Sequence, residues 1–221
     1  EKKRPDFDAP LFENLGDNHF EISTNNAWSQ KFFNQGLTLT YGLNHAEAMR
    51  SFKEAARLDE NCAMCYWGMA YVLGPNINSA MDSTLVTEAN SYIEKAKSLL
   101  ANVSEYEKDM IMAIDMRYPK AEDQTLASCY ENFASAMRET SRKFPENDDI
   151  STLCAEALMD LHPWDYWNTK NGQPKAWTGE ILDMLESTLA RNPNHPGANH
   201  YYIHATEASR NPGKALNSAR T

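Results

Sequence analysis

The sequence predicts an all-α chain built as a solenoid of antiparallel helix pairs. Three observations carry that reading. Apolar residues recur at the 3.6-residue spacing of amphipathic helices, no run alternates in the manner of a strand, and the 34 residues 29–62 form a helix–turn–helix unit followed by others of similar build.

In that first unit Phe32, Gly36 and Leu39 hold the aromatic, small and large positions of a first helix. Ala48, Phe52 and Ala55 hold the small, large and small positions of a second. Small residues belong where two helices approach most closely, and large ones fill the space between. Tyr41-Gly42-Leu43-Asn44 supplies the turn, and Asn44 can cap the second helix. The next unit opens at Ala63 with Tyr66, Met69, Ala70 and Leu73, passes through the long loop Gly74-Pro75-Asn76-Ile77-Asn78, and resumes with Ala89, Ile93 and Ala96. Helices follow at about 104–117 and 122–143, then at about 148–161 and 178–191, the latter two separated by the aromatic insertion His162-Pro163-Trp164-Asp165-Tyr166-Trp167. Residues 1–26 read as an N-terminal extension. Residues 27–221 read as one repeat domain, with pairs at about 27–59, 61–101, 104–143, 148–191 and 195–221, the last cut off inside its second helix. Gly36, Ala48, Ala55 and Ala70 are expected to be buried.

At this point the chain resembles the tetratricopeptide-repeat superfamily, and within it a bacterial group of longer repeat proteins. The resemblance rests on the segments Leu11–Asp17, Tyr41–Ala48, Cys62–Gly68, Gly74–Asn78 and His195–His200, and it covers nearly the whole chain. It implies a right-handed superhelix, further C-terminal repeats with more histidines, and an export signal ahead of the mature chain. It implies no particular activity.

Composition narrows the function. A formal charge of −10 and a sequence pI near 5.1 set the chain against nucleic acid and anionic membrane surfaces. The densest basic run is Lys2-Lys3-Arg4. No stretch reaches the roughly 18 apolar residues that cross a bilayer. Glu1 stands where an initiator Met would, so the sequence reads as a processed product. An extracytoplasmic location, periplasmic or lipid-anchored, is the first expectation and the cytoplasm the alternative. Cys62 and Cys65 have metal or redox spacing without a second such pair, and are expected as buried helix cysteines one turn apart, reduced or at most joined by a strained bridge.

Chemistry concentrates in two places. Three of the six histidines fall within the ten residues 195–204. On a helix, His200, His204 and Glu207 share one stripe, roughly a hundred degrees from the apolar stripe of Ala198, Tyr201, Ala205 and Ala208. Two imidazoles one turn apart suit a zinc or copper ion, with Glu207 and His195 as further ligands. The alternative is a structural network that hydrogen-bonds to the next helix. In either case the imidazoles are expected to meet Trp164 or Trp167. The second place is aromatic. Phe33, Trp67 and Tyr71 are expected on the concave face, with Trp164 and Trp167 in the insertion, where they either line a ligand groove or tuck into the core. The inner faces lack the Lys, Arg and Asn that grip a peptide carboxylate. There is no H-E-x-x-H sequence and no glycine-rich phosphate loop.

Two readings follow. In the first, the chain is a binding scaffold that offers an aromatic-lined concave face to a protein, peptide or small ligand. In the second, it is a zinc- or copper-binding protein, or a metal-dependent enzyme, centred on His195–Glu207.

Overall fold

The structure is a computed structural model that describes residues 6–221; the Lys2-Lys3-Arg4 run lies outside them. Among the described residues there are nine α-helices, three short 3-10 turns and no strand. Among the same residues no helix is long and apolar enough to cross a membrane.

Most of the helices start where a side chain can take up their first amides. Asn26 caps α1 (Ala27–Tyr41), accepting from the amides of Trp28 and Ser29, and Asn44 caps α2 (His45–Leu58). The turn between them is tight. The Asn44 amide donates back to the Leu39 carbonyl at 2.9 Å, and Leu43 takes the left-handed position with φ 55°. Gly42, which the sequence places at the break, keeps an ordinary φ of −80°. The chain continues through α3 (Ala63–Val72), α4 (Val86–Ser98) and α5 (Glu105–Ile114). Ser104 and Glu107 close a capping box at the start of α5. Then come α6 (Leu126–Lys143), α7 (Asp148–Leu161), α8 (Thr178–Arg191) and α9 (Pro196–Thr206). After α9 the chain makes only the 3-10 turn Pro212–Ala215 where a second helix of the last pair is expected.

Sequence neighbours pack in order from α1 to α9, and α9 also rests against both α7 and α1. The centre is α7. Of its fourteen residues, Asp149 through Asp160 are all buried, the mark of a helix surrounded on every side. The close contacts follow the small residues: Ala48, Ala55 and Ala70 are fully buried. The Phe52 ring lies between two glycines, and a Cβ would meet it at 2.6 Å from Gly36 and 2.5 Å from Gly68.

The N-terminal extension is part of this core. Phe7 packs edge-on against Trp28 and Phe32, and buried Phe20 packs against Phe33. Ser23 donates to Glu107 of α5, and Asn18 to Asp149 of α7.

Two expectations change. Cys62 and Cys65 form a disulfide, with their Cα atoms 5.4 Å apart, inside the range a bridge requires. The expected separation of thiols one turn apart fails because Cys62 is the cap of α3, in extended backbone at φ −74° and ψ 96°, not a residue of the helix. The expected concave aromatic face is also filled. Phe33 and Trp67 are 0% exposed and Tyr71 1%: Phe20 and Phe52 pack on Phe33, Tyr71 packs on Trp67, and Phe133 and Glu156 cover Tyr71.

Candidate functional site

The His195–Glu207 segment is helical, as its pattern requires, and its position is set by Tyr41 at the end of α1. Gly197 allows the contact, since a Cβ there would lie 2.5 Å from the Tyr41 ring. The Tyr41 hydroxyl donates to Asp149 at 2.7 Å, and the Tyr41 carbonyl accepts from His200 Nδ1 at 2.5 Å. Burial first, and then Asp149, hold the Tyr41 phenol well above its usual range.

The hydrogen bonds assign the tautomer of each histidine. His195 caps α9, and its Nδ1 accepts from the Ala198 amide at 3.1 Å. Its proton therefore sits on Nε2, which lies 3.3 Å from Asp149 Oδ1 without full hydrogen-bond geometry. Neither nitrogen of buried His195 has a lone pair to spare. His200 and His204 are the reverse case. His200 Nδ1 faces the Tyr41 carbonyl and His204 Nδ1 faces Glu207 Oε1 at 2.8 Å, so both Nδ1 atoms carry protons. Their Nε2 atoms face each other at a hydrogen-bond distance of 2.9 Å, a contact in which one of the two rings carries the shared proton. Two lone pairs at that distance repel unless a proton or a metal cation lies between them. Burial, the largest influence, lowers the His200 pKa; the Tyr41 carbonyl raises it, His204 lowers it and Glu207 raises it.

The four residues expected as ligands are thus divided. His200 and His204 converge, Glu207 stands behind His204 as its orienting carboxylate, and His195 belongs to a separate contact with Asp149. Among the described residues no three His, Cys, Asp or Glu side chains form a metal-holding group. The converging set is a pair of imidazoles with a hydrogen-bonded outer layer.

The aromatic insertion is strapped to this helix. Trp167 Nε1 donates to the Ala205 carbonyl at 2.7 Å, and His162 stacks on Trp177 at 3.6 Å. Trp164 meets His204 edge to face at 5.2 Å. It is 48% exposed and has φ 62°, a backbone position that a bulky residue adopts only under constraint. His204 is 20% exposed at the side chain and Glu207 45%, so the pair opens to solvent on this flank. On its other side His200 borders a cleft of about 460 Å³ lined by Asn14–Asn18, Asn199 and Ile203. A larger cleft, about 1070 Å³, runs between Glu21–Asn26, Asp59 and Tyr106 and contains none of the expected site residues.

Behind the histidines lies a buried polar cluster that the sequence reading does not identify. Arg117 lies 4.6 Å from the Tyr71 ring centroid and 4.9 Å from that of Phe133, and pairs with Asp160 at 3.1 Å. It also donates to the Tyr71 and Pro75 carbonyls, which fixes the Gly74–Asn78 loop. Gly74 is required there, as a Cβ would sit 2.6 Å from the guanidinium carbon. Glu156 accepts from the Tyr71 hydroxyl at 2.9 Å; Tyr201 is turned toward the same carboxylate without a well-formed bond. Burial raises both the Glu156 and Asp160 pKa values, the latter further through Glu156, and Arg117 only partly offsets this. A signal does exist in the sequence: Asp149, Glu156 and Asp160 recur at i, i+7 and i+11, one face of an otherwise apolar helix.

Comparison of the chain with protein-family models, with curated proteins and with solved structures finds no match.

Proposed function

We propose that the chain is a helical-repeat scaffold of the tetratricopeptide kind that binds one transition-metal ion, copper or zinc, between His200 Nε2 and His204 Nε2. The repeat reading draws support from helices that pack in sequence order and from the Gly36–Phe52–Gly68 contact between successive units. The array curls until α9 meets α1, so its inner face is a packed interior. As a partner-binding scaffold it keeps one well-exposed aromatic of the five expected, Trp164. The Cys62–Cys65 bridge favours an oxidising, extracytoplasmic setting.

The single observation that carries the metal reading is that both Nδ1 atoms already donate to oxygen, which leaves the two Nε2 atoms facing each other, where a metal ion can displace the hydrogen bond between them. Imidazole nitrogen suits copper and zinc, and a carboxylate behind a ligating histidine fixes its tautomer and raises its basicity. The test is calorimetric titration of tag-free, chelator-treated protein with Cu²⁺ and with Zn²⁺. One equivalent should bind to the wild type and to His162→Ala, and none to His204→Ala at the same concentration. Binding that survives in His204→Ala, or no binding to the wild type at micromolar concentrations, overturns the proposal.

A further inference from the structure

We propose that the cleft of about 1070 Å³ between residues 21–26, Asp59 and Tyr106 is a binding site for a neutral polyhydroxyl ligand, a short oligosaccharide. It is a second site, and neither His200 nor His204 lines it. Three segments far apart in sequence form it: the run 21–26 that leads into α1, the α2–α3 corner at 58–61, and the start of α5 with the 3-10 turn Leu100–Asn102 before it. Its volume stands at the upper end of the roughly 300–1,000 Å³ of small-molecule pockets.

The walls are held in place by polar groups of their own. Buried Glu107 accepts from the Ser23 amide at 2.6 Å, from the Ser104 amide at 2.7 Å and from both serine hydroxyls, which ties the run 21–26 to α5. Thr24 donates to Asp59 Oδ2 and Asn26 to the Leu58 carbonyl, which ties the same run to the α2–α3 corner. The Tyr106 hydroxyl donates to the Glu21 carbonyl at 2.7 Å. Walls fixed in this way spare a ligand the cost of ordering them. A second set of groups is left over. Glu21, Asn25, Asn61 and Asn102 are exposed lining residues whose side chains make no hydrogen bond among the described residues. Their chemistry selects the ligand. A side-chain amide both donates and accepts, as a sugar hydroxyl does, so three amides beside a carboxylate can meet several hydroxyls of one ligand. The lining carries two carboxylates, Glu21 and Asp59, and no Lys, Arg or His, which sets it against phosphate and carboxylate ligands. Both Asp59 oxygens already accept, from Thr24 and from the Asn61 amide, so Glu21 is the one carboxylate left without a hydrogen-bond partner, too little to favour a polycation. Ile22, Leu58 and Tyr106 add apolar area against which the C–H face of a pyranose can pack.

The experiment titrates nitrogen-15-labelled wild-type protein with maltotriose, cellotriose and triacetylchitotriose, and separately with spermidine, and follows backbone and side-chain amide signals by NMR. At least one trisaccharide should shift the side-chain signals of Asn25, Asn61 and Asn102, saturably and at millimolar concentration. Asn61→Ala and Asn102→Ala should each keep the wild-type Tm, since neither side chain holds a partner, and should weaken binding roughly fivefold, as the loss of one neutral hydrogen bond does. His204→Ala should bind the sugar as the wild type does; loss of binding there would place the sugar at the histidines and overturn the proposal. No saturable shift with any of the three sugars, shifts that spare all three amides, or undiminished binding in both asparagine variants would overturn it too. So would binding of spermidine alone, which would make the cleft a cation site.

Discussion

Replacing Gly68 with alanine should destabilise the protein, although the same exchange elsewhere in a helix normally helps. Alanine in a helix interior gains about 1 kcal/mol over glycine. At Gly68 the added Cβ would lie 2.5 Å from Phe52 Cδ1, well inside contact distance. The ring cannot retreat. A Cβ on its other side, at Gly36, would already be at 2.6 Å, and the Phe33 ring stands 5.5 Å away. Overpacking of this kind costs about 1–3 kcal/mol, and with backbone atoms on both faces the upper half of that range applies. The net effect is a loss of about 1–2 kcal/mol, or a fall in Tm of about 2–8 °C for a chain of this length. Gly179 in the first turn of α8 is the control, since nothing lies within 4 Å of its added Cβ. Thermal unfolding without reductant should show Gly179→Ala neutral or stabilised and Gly68→Ala destabilised, with Phe52→Leu relieving part of the Gly68→Ala loss in the double variant. A Gly68→Ala protein as stable as Gly179→Ala would refute the close approach of the first two helix pairs.

Three further outcomes follow from named groups. The raised pKa values of Glu156 and Asp160 mean that the native state keeps a proton the unfolded chain has released, so this cluster is most favourable below the usual carboxyl range, near pH 4, and loses stability as pH rises toward the folded values, by at most about 1.4 kcal/mol per pH unit per proton. Glu156→Gln should therefore flatten the pH dependence of Tm between pH 5 and 8 (roughly the window above unfolded carboxyl titration), and an unchanged slope would show that the cluster does not hold that proton. Alkylation of unfolded, unreduced protein should label two cysteines, Cys129 and Cys154, and reductant should raise this to four; four labels without reductant would remove the Cys62–Cys65 bridge. Trp164→Gly should raise stability by about 1 kcal/mol in urea titration, because glycine adopts a φ of 62° freely, and a loss of stability would mean that the indole contributes more packing than strain.

Much of the architecture is legible in the sequence because helix pairs are local structures. The helices 148–161 and 178–191 appear where the periodicity places them, and Gly36, Ala48, Ala55 and Ala70 are buried as their small size predicts. What is not legible is how the array closes. Repeat logic alone puts Phe33, Trp67 and Tyr71 on an open face, whereas α9 meeting α1 depends on Gly197 against Tyr41, two residues with no sequence relation to each other. The same holds for the site. The stripe of His200, His204 and Glu207 follows from spacing, and so does the proximity of Trp164 through its insertion. That His195 spends its Nδ1 on a helix cap while His200 spends its own on a carbonyl 159 residues away depends on tertiary partners. Arg117 escapes notice because a single arginine after an amphipathic helix reads as a surface residue until Tyr71 and Phe133 enclose it.

The most direct test of the account is the protonation of the histidine rings, read by long-range proton–nitrogen correlation NMR on nitrogen-15-labelled protein. His195 should carry its proton on Nε2, and His200 and His204 should carry theirs on Nδ1. Substoichiometric Cu²⁺ should then broaden the His200 and His204 ring signals before those of His19, His45, His162 and His195. Finding Nε2–H as the predominant form of both His200 and His204, or broadening that begins at other histidines, would contradict the claim that the two Nε2 atoms face each other there to hold a metal ion.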